Sequence, residues 1–304
     1  MARRARSITH EVIGERRQPA YRSTMATSIR SEAAPRVSLG ALLRDWRKRR
    51  HQSQLALALQ AGISQRHLSF VESGRAQPSR DMVLHLAEHL DIPLRERNRL
   101  LNAAGFAPVY SERPLDDPAL EAARRAVERV LAAHEPYPAL AVDRHWTLVA
   151  ANRAVAPLLQ GAAPALLTPP INVLRLSLHR DGLAPRIVNL SEWRSYLLQR
   201  LTRESELTGD SSVRDLLEEL RGYPAPPRAT STSSLVAHAD SRVFVPLEFE
   251  TDAGVLSFIS TTTVFGTPVD VTIAELALES FFPANAETAE FLRASLLPSS
   301  SRED

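Results

Sequence analysis

Apolar residues recur at helical spacing in five short segments between residues 37 and 106. The first segment places Leu39, Leu42, Leu43 and Trp46 on one stripe, a spacing typical of an amphipathic helix. Residues that cap or open helices separate the later segments. They are Ser53, Ser64, Ser79 and Pro93. The pattern therefore predicts a small all-α bundle of five helices.

Two of these predicted helices are joined by a turn of the kind that a helix-turn-helix requires. Gln54–Gln60 forms the first helix, and we expect Leu55, Ala58 and Leu59 to point inward. Gly62 supplies the turn, since glycine readily adopts positive φ. The second helix follows Ser64 and ends at a Ser-Gly pair.

The pattern after residue 118 mixes helical and strand signals. A helix at Ala119–Ala133 precedes a strand at Ala139–Val142, a turn, and a strand at Trp146–Ala151 that leads into a helix headed by Asn152. Three further helical segments follow, at Val173–His179, Glu192–Glu206 and Val213–Arg221.

A hairpin is predicted near the end of the chain. Apolar residues alternate from Val243 to Phe249, Asp252–Gly254 forms a turn, and a second strand returns to Phe265. Before it, Pro224–Ser234 is a loop rich in Pro, Ser and Thr. Strands at both ends with helices between them favour one antiparallel sheet in an α+β domain.

Changes in composition along the chain predict the domain boundaries. Residues 1–36 contain few large apolar groups, so we expect a disordered basic arm, with Met1 and Met25 both open as the true start. The helical bundle occupies 37–106. Residues 107–118 contain three prolines and are predicted to form a linker. The α+β domain covers 119–298.

Charge differs strongly along the chain. Residues 37–105 carry eleven basic and six acidic groups, whereas residues 106–304 carry eighteen basic and 26 acidic groups. The front part therefore attracts polyanions and the remainder does not. The chain has no cysteine and no apolar run of membrane-spanning length. We expect a cytoplasmic protein without disulfides, thiolate chemistry or a membrane partner.

The predicted helix-turn-helix has the side chains needed to bind double-stranded DNA. Gln65 and Arg66 open its second helix, and Ser69 lies one turn further on the same face. Glutamine can pair with adenine and arginine with guanine in the major groove. Gln54 and Ser64 lie at helix N-termini, which favour phosphate groups. Arg75 completes the predicted DNA-binding set.

Several short motifs of this region resemble the Xre/Cro type of helix-turn-helix repressor. They are Leu43–Arg47, Ser53–Gln54, Ala61–Ser64, Val71–Arg75 and Gln77–Ser79. The resemblance implies an ion pair between Arg47 and Glu72. His51 departs from the family pattern, in which glycine is common. Phe70 occupies a position that reads a base in some members, so it either contacts a thymine methyl group or packs.

The second domain resembles the MmyB-like regulators. The motifs that carry this likeness are Glu135–Leu140, Asp143–Trp146, Ala150–Asn152, Asn172–His179, Thr262–Pro268, Glu275–Ala277 and Ser280–Pro283. The resemblance implies a PAS-like fold, a one-component transcription regulator and a small apolar ligand, with a long-chain fatty acid as one associated ligand.

We assign six residues to the predicted ligand site. They are Trp146, Asn152, Leu174, Arg175, Phe249 and Phe258. Each also has a structural interpretation. The three aromatic residues are more often core than pocket, Asn152 can cap a helix, and Arg175 can form an ion pair within the protein instead of meeting an anionic head group.

Enzymatic interpretations are weaker. His85–His89 matches a zinc-binding H-x-x-E-H pattern, but its histidines are expected on a solvent face without a third ligand. His179–Asp181 resembles part of a kinase loop without the asparagine that should follow. We predict no catalytic residue, metal or cofactor, and a homodimer that binds DNA. The alternative is a protein-interaction adaptor whose helix-turn-helix does not bind DNA and whose PAS-like domain dimerises.

Overall fold

A computed structural model describes residues 38–224, 244–266 and 268–296. The chain divides into two compact units, which are described separately. Of the described residues, one unit contains 38–113 together with Val269–Val271, and the other contains the remaining residues from Pro114 onward. The predicted arm at 1–36 and the predicted loop after Pro224 lie outside the described residues.

The N-terminal unit is helical. Its helices are α1 (Leu39–Arg49), α2 (Gln54–Gln60), α3 (Gln65–Glu72), α4 (Arg80–His89) and α5 (Leu94–Ala103). Serine side chains cap the first four, each accepting a hydrogen bond from a backbone N–H three residues later. These serines are Ser38, Ser53, Ser64 and Ser79. The fifth helix follows Pro93, so the predicted helices are confirmed.

One apolar core joins these helices. Leu43, Leu57, Leu68, Leu86 and Leu100 are each fully buried in it. The prediction for α2 was wrong in part, because two of its three inward residues are exposed. These are Leu55, at 52% exposure, and Leu59, at 72%. Helix α2 carries two overlapping apolar stripes, and the stripe with Leu57, Ala58 and Ala61 is the buried one.

The C-terminal unit is an α+β domain. Its helices are α6 (Glu121–Ala133), α7 (Val173–Leu178), α8 (Leu190–Thr208), α9 (Ser211–Arg221), α10 (Val271–Ala274), which begins at the unit boundary, and α11 (Ala286–Leu296). Its strands are β1 (Ala139–Val142), β2 (Leu148–Ala151), β3 (Leu247–Thr251), β4 (Gly254–Val264) and β5 (Ala277–Pro283). Short 3-10 turns include Ala156–Leu159, where a helix headed by Asn152 was predicted. Pro157 lies in that turn and cannot donate a backbone hydrogen bond.

The described strands form one antiparallel sheet in the order β2-β1-β5-β4-β3. The predicted hairpin is present, with Phe249 opposite Leu256 and Thr251 opposite Gly254. The sequence analysis did not identify β5 as a strand, although it is the central one. Strand β5 pairs with β1 on one side and with β4 on the other, so it connects the two halves of the sheet.

Helices cover both faces of the sheet. Helix α6 packs against β1 and β2, with Val127 and Leu131 buried beside Ala141 and Leu278. The other face, which carries Phe258, shares a larger apolar cluster with helices α7, α8 and α9. This second cluster contains most of the residues that were predicted to meet a ligand.

Candidate DNA interface and ligand-binding domain

The turn between α2 and α3 positions the start of α3 in solvent. Gly62 has φ of 64°, a conformation that glycine adopts without steric strain, and a Cβ atom there would meet nothing within 4 Å. The Ser64 hydroxyl accepts a hydrogen bond from the His67 N–H at 3.1 Å. Gln65 and Arg66, which follow Ser64, are exposed. Helix α3 therefore presents polar side chains at its capped N-terminus.

The end of α3 is fixed by a buried carboxylate. The Arg47 guanidinium donates to Glu72 from Nε at 2.6 Å and from Nη2 at 2.9 Å, which confirms the predicted ion pair. Arg44 contributes a longer contact of 3.6 Å. Burial by itself would raise the pKa of the Glu72 carboxyl, but hydrogen bonds from Arg47 and Gln54 and the nearby positive charges hold this pKa below its ordinary range.

Helix α1 approaches the end of α3 very closely. A Cβ atom on Gly40 would lie 2.4 Å from the Glu72 carbonyl oxygen, so only glycine fits there without a backbone shift. This approach and the Arg47–Glu72 ion pair hold α3 against α1. The orientation of α3 is therefore determined by residues that do not themselves face solvent.

The six predicted DNA-binding residues do not share one environment. Gln65, Arg66 and Arg75 are exposed, and no carboxylate among the described residues lies within ion-pair distance of either arginine. Ser69 is half-buried, on the same side of α3 as Arg66. These four residues and Ser64 occupy or adjoin α3.

Gln54 differs from the other five. Its side-chain amide donates to Glu72 Oε2 at 2.8 Å, so the amide belongs to the network that supports α3. The sequence analysis assigned Gln54 to a phosphate contact at the N-terminus of α2, which stays a prediction, whereas its side-chain amide is already bound within the protein. The reason is the buried carboxylate, which takes hydrogen bonds from both Arg47 and Gln54.

Four of the six predicted ligand residues lie in one apolar cluster. Trp146, Leu174, Phe249 and Phe258 are all buried there, between the sheet and helices α7 to α9. Trp146 adopts a positive φ of 62° two residues before β2 begins. The structure brings these four together, as predicted, in a packed core.

Asn152 is a structural residue. Its Oδ1 accepts from the Ala139 N–H at 3.1 Å, and its Nδ2 donates to the carbonyl oxygens of Tyr137 and Leu131 at 2.7 and 3.1 Å. The side chain thus joins β1, the end of β2 and helix α6, and it is buried. The helix-capping role expected from the sequence is incorrect, because the side-chain oxygen accepts from the Ala139 N–H and not from a helix N-terminus. Contact with a ligand stays a prediction.

Arg175 forms the internal ion pair that was one of its two interpretations. Its Nε and Nη2 atoms donate to the two carboxylate oxygens of Glu219 on α9, at 2.8 and 2.7 Å. The hydrogen bond from Arg175 lowers the pKa of the Glu219 carboxyl. The Nε and Nη2 donors of Arg175 are therefore used within the protein.

The sequence analysis missed an ion pair at the apolar cluster, between Arg200 and Glu279. Arg200 on α8 donates to both oxygens of Glu279 on β5, at 2.6 and 3.0 Å, and its guanidinium lies 4.4 Å from the Trp146 ring centroid. Thr262 donates to the same carboxylate at 3.0 Å. Glu279 could have been found as the charged residue within an apolar run near the chain end.

Glu204 lies next to this pair on α8. Its Oε2 accepts a hydrogen bond from Trp146 Nε1 at 3.0 Å. Burial raises the pKa of the Glu204 carboxyl, although the indole hydrogen bond and the charge of Arg200 act in the opposite direction. A carboxyl group that is costly to ionise therefore lies at the edge of the apolar cluster.

The pattern at His85–His89 does not form a metal site among the described residues, where no group of three or more potential ligands is arranged around a common point. His85 instead bonds to the Ala61 carbonyl oxygen at 2.9 Å through Nε2, which therefore carries the proton. No helix within the described ranges has the length and apolar character needed to cross a membrane.

The Gly62 turn and the exposed start of α3 give the N-terminal unit the geometry of a helix-turn-helix domain, and the α+β unit is a second domain. A family model described as the MmyB-like transcription regulator ligand binding domain matches residues 123–294. A helix-turn-helix domain model matches residues 38–100. The chain belongs to the MmyB-like transcription regulator family. No curated protein matches it.

Proposed function

We propose that the protein is a sequence-specific transcription regulator that binds duplex DNA through α3 as a homodimer in the cytoplasm, and that its C-terminal domain, which we take to be PAS-like, binds a small apolar ligand. The observation that carries the DNA-binding part is the exposed set of Gln65 and Arg66 on α3 and Arg75 just after it, next to a helix whose supporting charges are already paired. These side chains are available to base edges and phosphates.

Dimerisation follows from the size of the DNA-binding unit. A reader of about 65 residues offers too little interface for tight, specific binding alone, since single modules bury roughly 600–1,000 Å². Two-fold symmetry would place two α3 helices in successive major grooves, about 34 Å apart. We therefore expect a palindromic operator with half-sites one helical turn apart or a multiple of it.

The ligand proposal rests on the family and on the apolar cluster around Phe258. Trp146, Leu174 and Phe249 surround the same region, and acyl chains bind such surfaces with about 0.8 kcal/mol per buried methylene. A long-chain fatty acid is our candidate. To regulate, it must bind one arrangement of the dimer more tightly than the other.

Selection of genomic fragments by the purified full chain tests the DNA-binding part. We expect recovery of a palindromic sequence and an affinity that falls steeply with salt. A chain with Arg153→Gln serves as a control for general charge loss, because Arg153 pairs with Glu135 on the C-terminal unit. Absence of duplex retention at low salt would favour the adaptor alternative, and a monomer on DNA by sedimentation would contradict the dimer.

Native mass spectrometry of protein purified from cells tests the ligand part. We expect a bound species whose mass matches a fatty acid. DNA titration before and after delipidation then tests regulation. If no species is bound, the ligand proposal fails; if DNA affinity is the same with and without the species, the regulatory link fails.

A further inference from the structure

The longest strand of the described sheet is paired on both sides over only part of its length. Strand β4 is 11 residues long and pairs with β5 over residues 258–264, whereas β3 pairs with it only over residues 254–258. Within the described part of the chain, residues 259–264 therefore have a neighbouring strand on one side alone. Residues 261–264 are all exposed, and Val264 is exposed to 63%.

The register of β4 shows which backbone groups face the open side. In an antiparallel sheet, successive residues bond alternately to the strand on one side and to the strand on the other. The Ala284 N–H donates to the Ser257 carbonyl oxygen at 2.8 Å, so Ser257 and every second residue after it point their backbone groups toward β5. The N–H and C=O groups of Ser260, Thr262 and Val264 therefore point away from β5, toward the side where β3 no longer pairs.

The segments beside this edge do not continue the sheet. Pro246, directly before β3, has no N–H to extend the ladder, and Val245 packs against the apolar cluster. Strand β4 itself ends at Val264, and the chain bends at Gly266. Residues 259–264 contain no charge, no proline and no shift of register, which are the usual features that protect an edge strand from pairing.

We propose that the open edge of β4 is the dimer interface of this protein, where β4 pairs antiparallel with β4 of a second copy. This inference rests on the homodimer of the proposed function and assigns the surface that forms it. A two-fold axis at Thr262 would place Ser260 of each copy opposite Val264 of the other, and the outward backbone groups would form about six hydrogen bonds between the copies.

The chemistry of the edge fits an identical strand. The edge carries no charge, so no like charges would meet across the two-fold axis. Threonines that face each other on neighbouring strands stabilise a sheet. The Thr262 side chain is already held in place, because its hydroxyl donates to Glu279 at 3.0 Å. A second copy thus finds an edge whose central residue is fixed before pairing.

Two substitutions of Thr262 separate its backbone from its side chain. Thr262→Pro removes the outward N–H and the hydroxyl that donates to Glu279, whereas Thr262→Val removes only the hydroxyl. Neither removes a hydrogen bond between β4 and β5, because the Thr262 N–H points away from β5. The proline variant loses two hydrogen bonds per dimer, so its dissociation constant in sedimentation equilibrium should rise by about tenfold or more. The valine variant should dimerise as the parent chain does.

Amide hydrogen exchange of the parent chain tests the edge without a substitution, and it decides the matter if Thr262→Pro fails to fold. The amides of Ser260, Thr262 and Val264 should exchange more slowly as the protein concentration rises. The amides of Thr261 and Thr263, which face β5, should not respond to concentration. Protection of the outward amides at every concentration would show that another segment of the same chain covers the edge, and the inference would be wrong.

The outcomes distinguish this inference from the proposed function. If Thr262→Pro dimerises as well as the parent chain, and the outward amides do not respond to concentration, another surface forms the dimer and the proposed function stands. If the parent chain is a monomer both free and on the selected operator, the homodimer of the proposed function fails together with this interface.

Discussion

Arginine supplies nearly all the positive charge of both units, but three arginines of the C-terminal unit and two near α3 lie in different environments. Three arginines of the C-terminal unit each donate to a carboxylate from two nitrogen atoms. They are Arg153, Arg175 and Arg200. Near α3, Arg66 and Arg75 contact the Phe70 ring, and no carboxylate within the described ranges pairs with them. An arginine that lacks an internal partner keeps its hydrogen-bond donors for a ligand.

The same distinction exists within the N-terminal unit. Arg47 and Arg44 contact Glu72, so they hold α3 against α1. The position of each carboxylate therefore separates Arg47 and Arg44, which stabilise the fold, from Arg66 and Arg75, which no carboxylate among the described residues pairs. Net charge alone does not make this separation, because it counts both kinds equally.

The largest effect should come from breaking the buried pair. Arg200→Ala leaves Glu279 buried without its partner, and we expect a loss of about 3 kcal/mol in the free energy of unfolding. Arg175→Ala removes a more exposed pair and should cost less than about 1 kcal/mol. Urea unfolding followed by tryptophan fluorescence measures both losses.

A double variant controls for the loss of packing. Arg200→Met combined with Glu279→Leu removes both charges and should be more stable than Arg200→Ala, because no unpaired carboxylate remains. Equal losses for Arg200→Ala and Arg175→Ala would contradict the distinction between the two pairs.

The next largest effect is expected on DNA affinity, when an arginine of α3 is removed. Arg66→Ala should weaken binding to the selected operator by about 1–3 kcal/mol and relax one base position. It should change the free energy of unfolding by less than about 0.5 kcal/mol, since no ion pair is lost. Fluorescence anisotropy against operator variants measures the affinity. Equal binding of parent and variant to every operator would disprove the placement of α3.

A smaller effect concerns phosphate contacts. Arg80 is exposed directly after the Ser79 cap of α4, and we expect it to contact the DNA backbone. Arg80→Gln should reduce the slope of log affinity against log salt by about 0.9 per bound half-site and weaken all sequences alike. Titrations at several salt concentrations test this. A slope equal to that of the parent chain would remove Arg80 from the interface.

The smallest effect concerns Glu204. Its pKa is raised in the folded chain, so the ionised group costs stability at neutral pH, and this cost decreases as pH falls through the folded pKa toward the unfolded value of about 4.3. Glu204→Gln retains an acceptor for Trp146 Nε1. It should therefore be more stable than the parent at pH 7, with an advantage that shrinks in acid. Urea unfolding at pH 7 and pH 5 tests the sign.

Local signals predicted the N-terminal unit well. Serine caps, Gly62 and helical periodicity act within a few residues, so the bounds of α2 match the prediction. Which stripe of α2 is buried depends instead on α1 and α3, and this is why Leu55 and Leu59 were misplaced. Tertiary packing decides between two stripes that the local pattern makes equal.

The C-terminal unit shows the same limit more strongly. Strand β5 is covered on both faces, so its sequence shows no alternation of apolar and polar residues. Glu279, which is buried, also interrupts the apolar run of this strand. The pairing of Arg200 with Glu279 joins residues 79 positions apart. The sequence pattern indicated an apolar cluster around Phe249 and Phe258 but gave no sign of the ion pair inside it.

The central position of β5 has a consequence for synthesis of the chain. The helices of the N-terminal unit are complete once Ala103 has been made, whereas the sheet cannot join β1 to β4 until Pro283 has emerged. At about 5–20 residues per second, roughly 10 to 35 seconds separate these events. The five N-terminal helices can therefore form on the ribosome well before the sheet of the C-terminal unit can be completed.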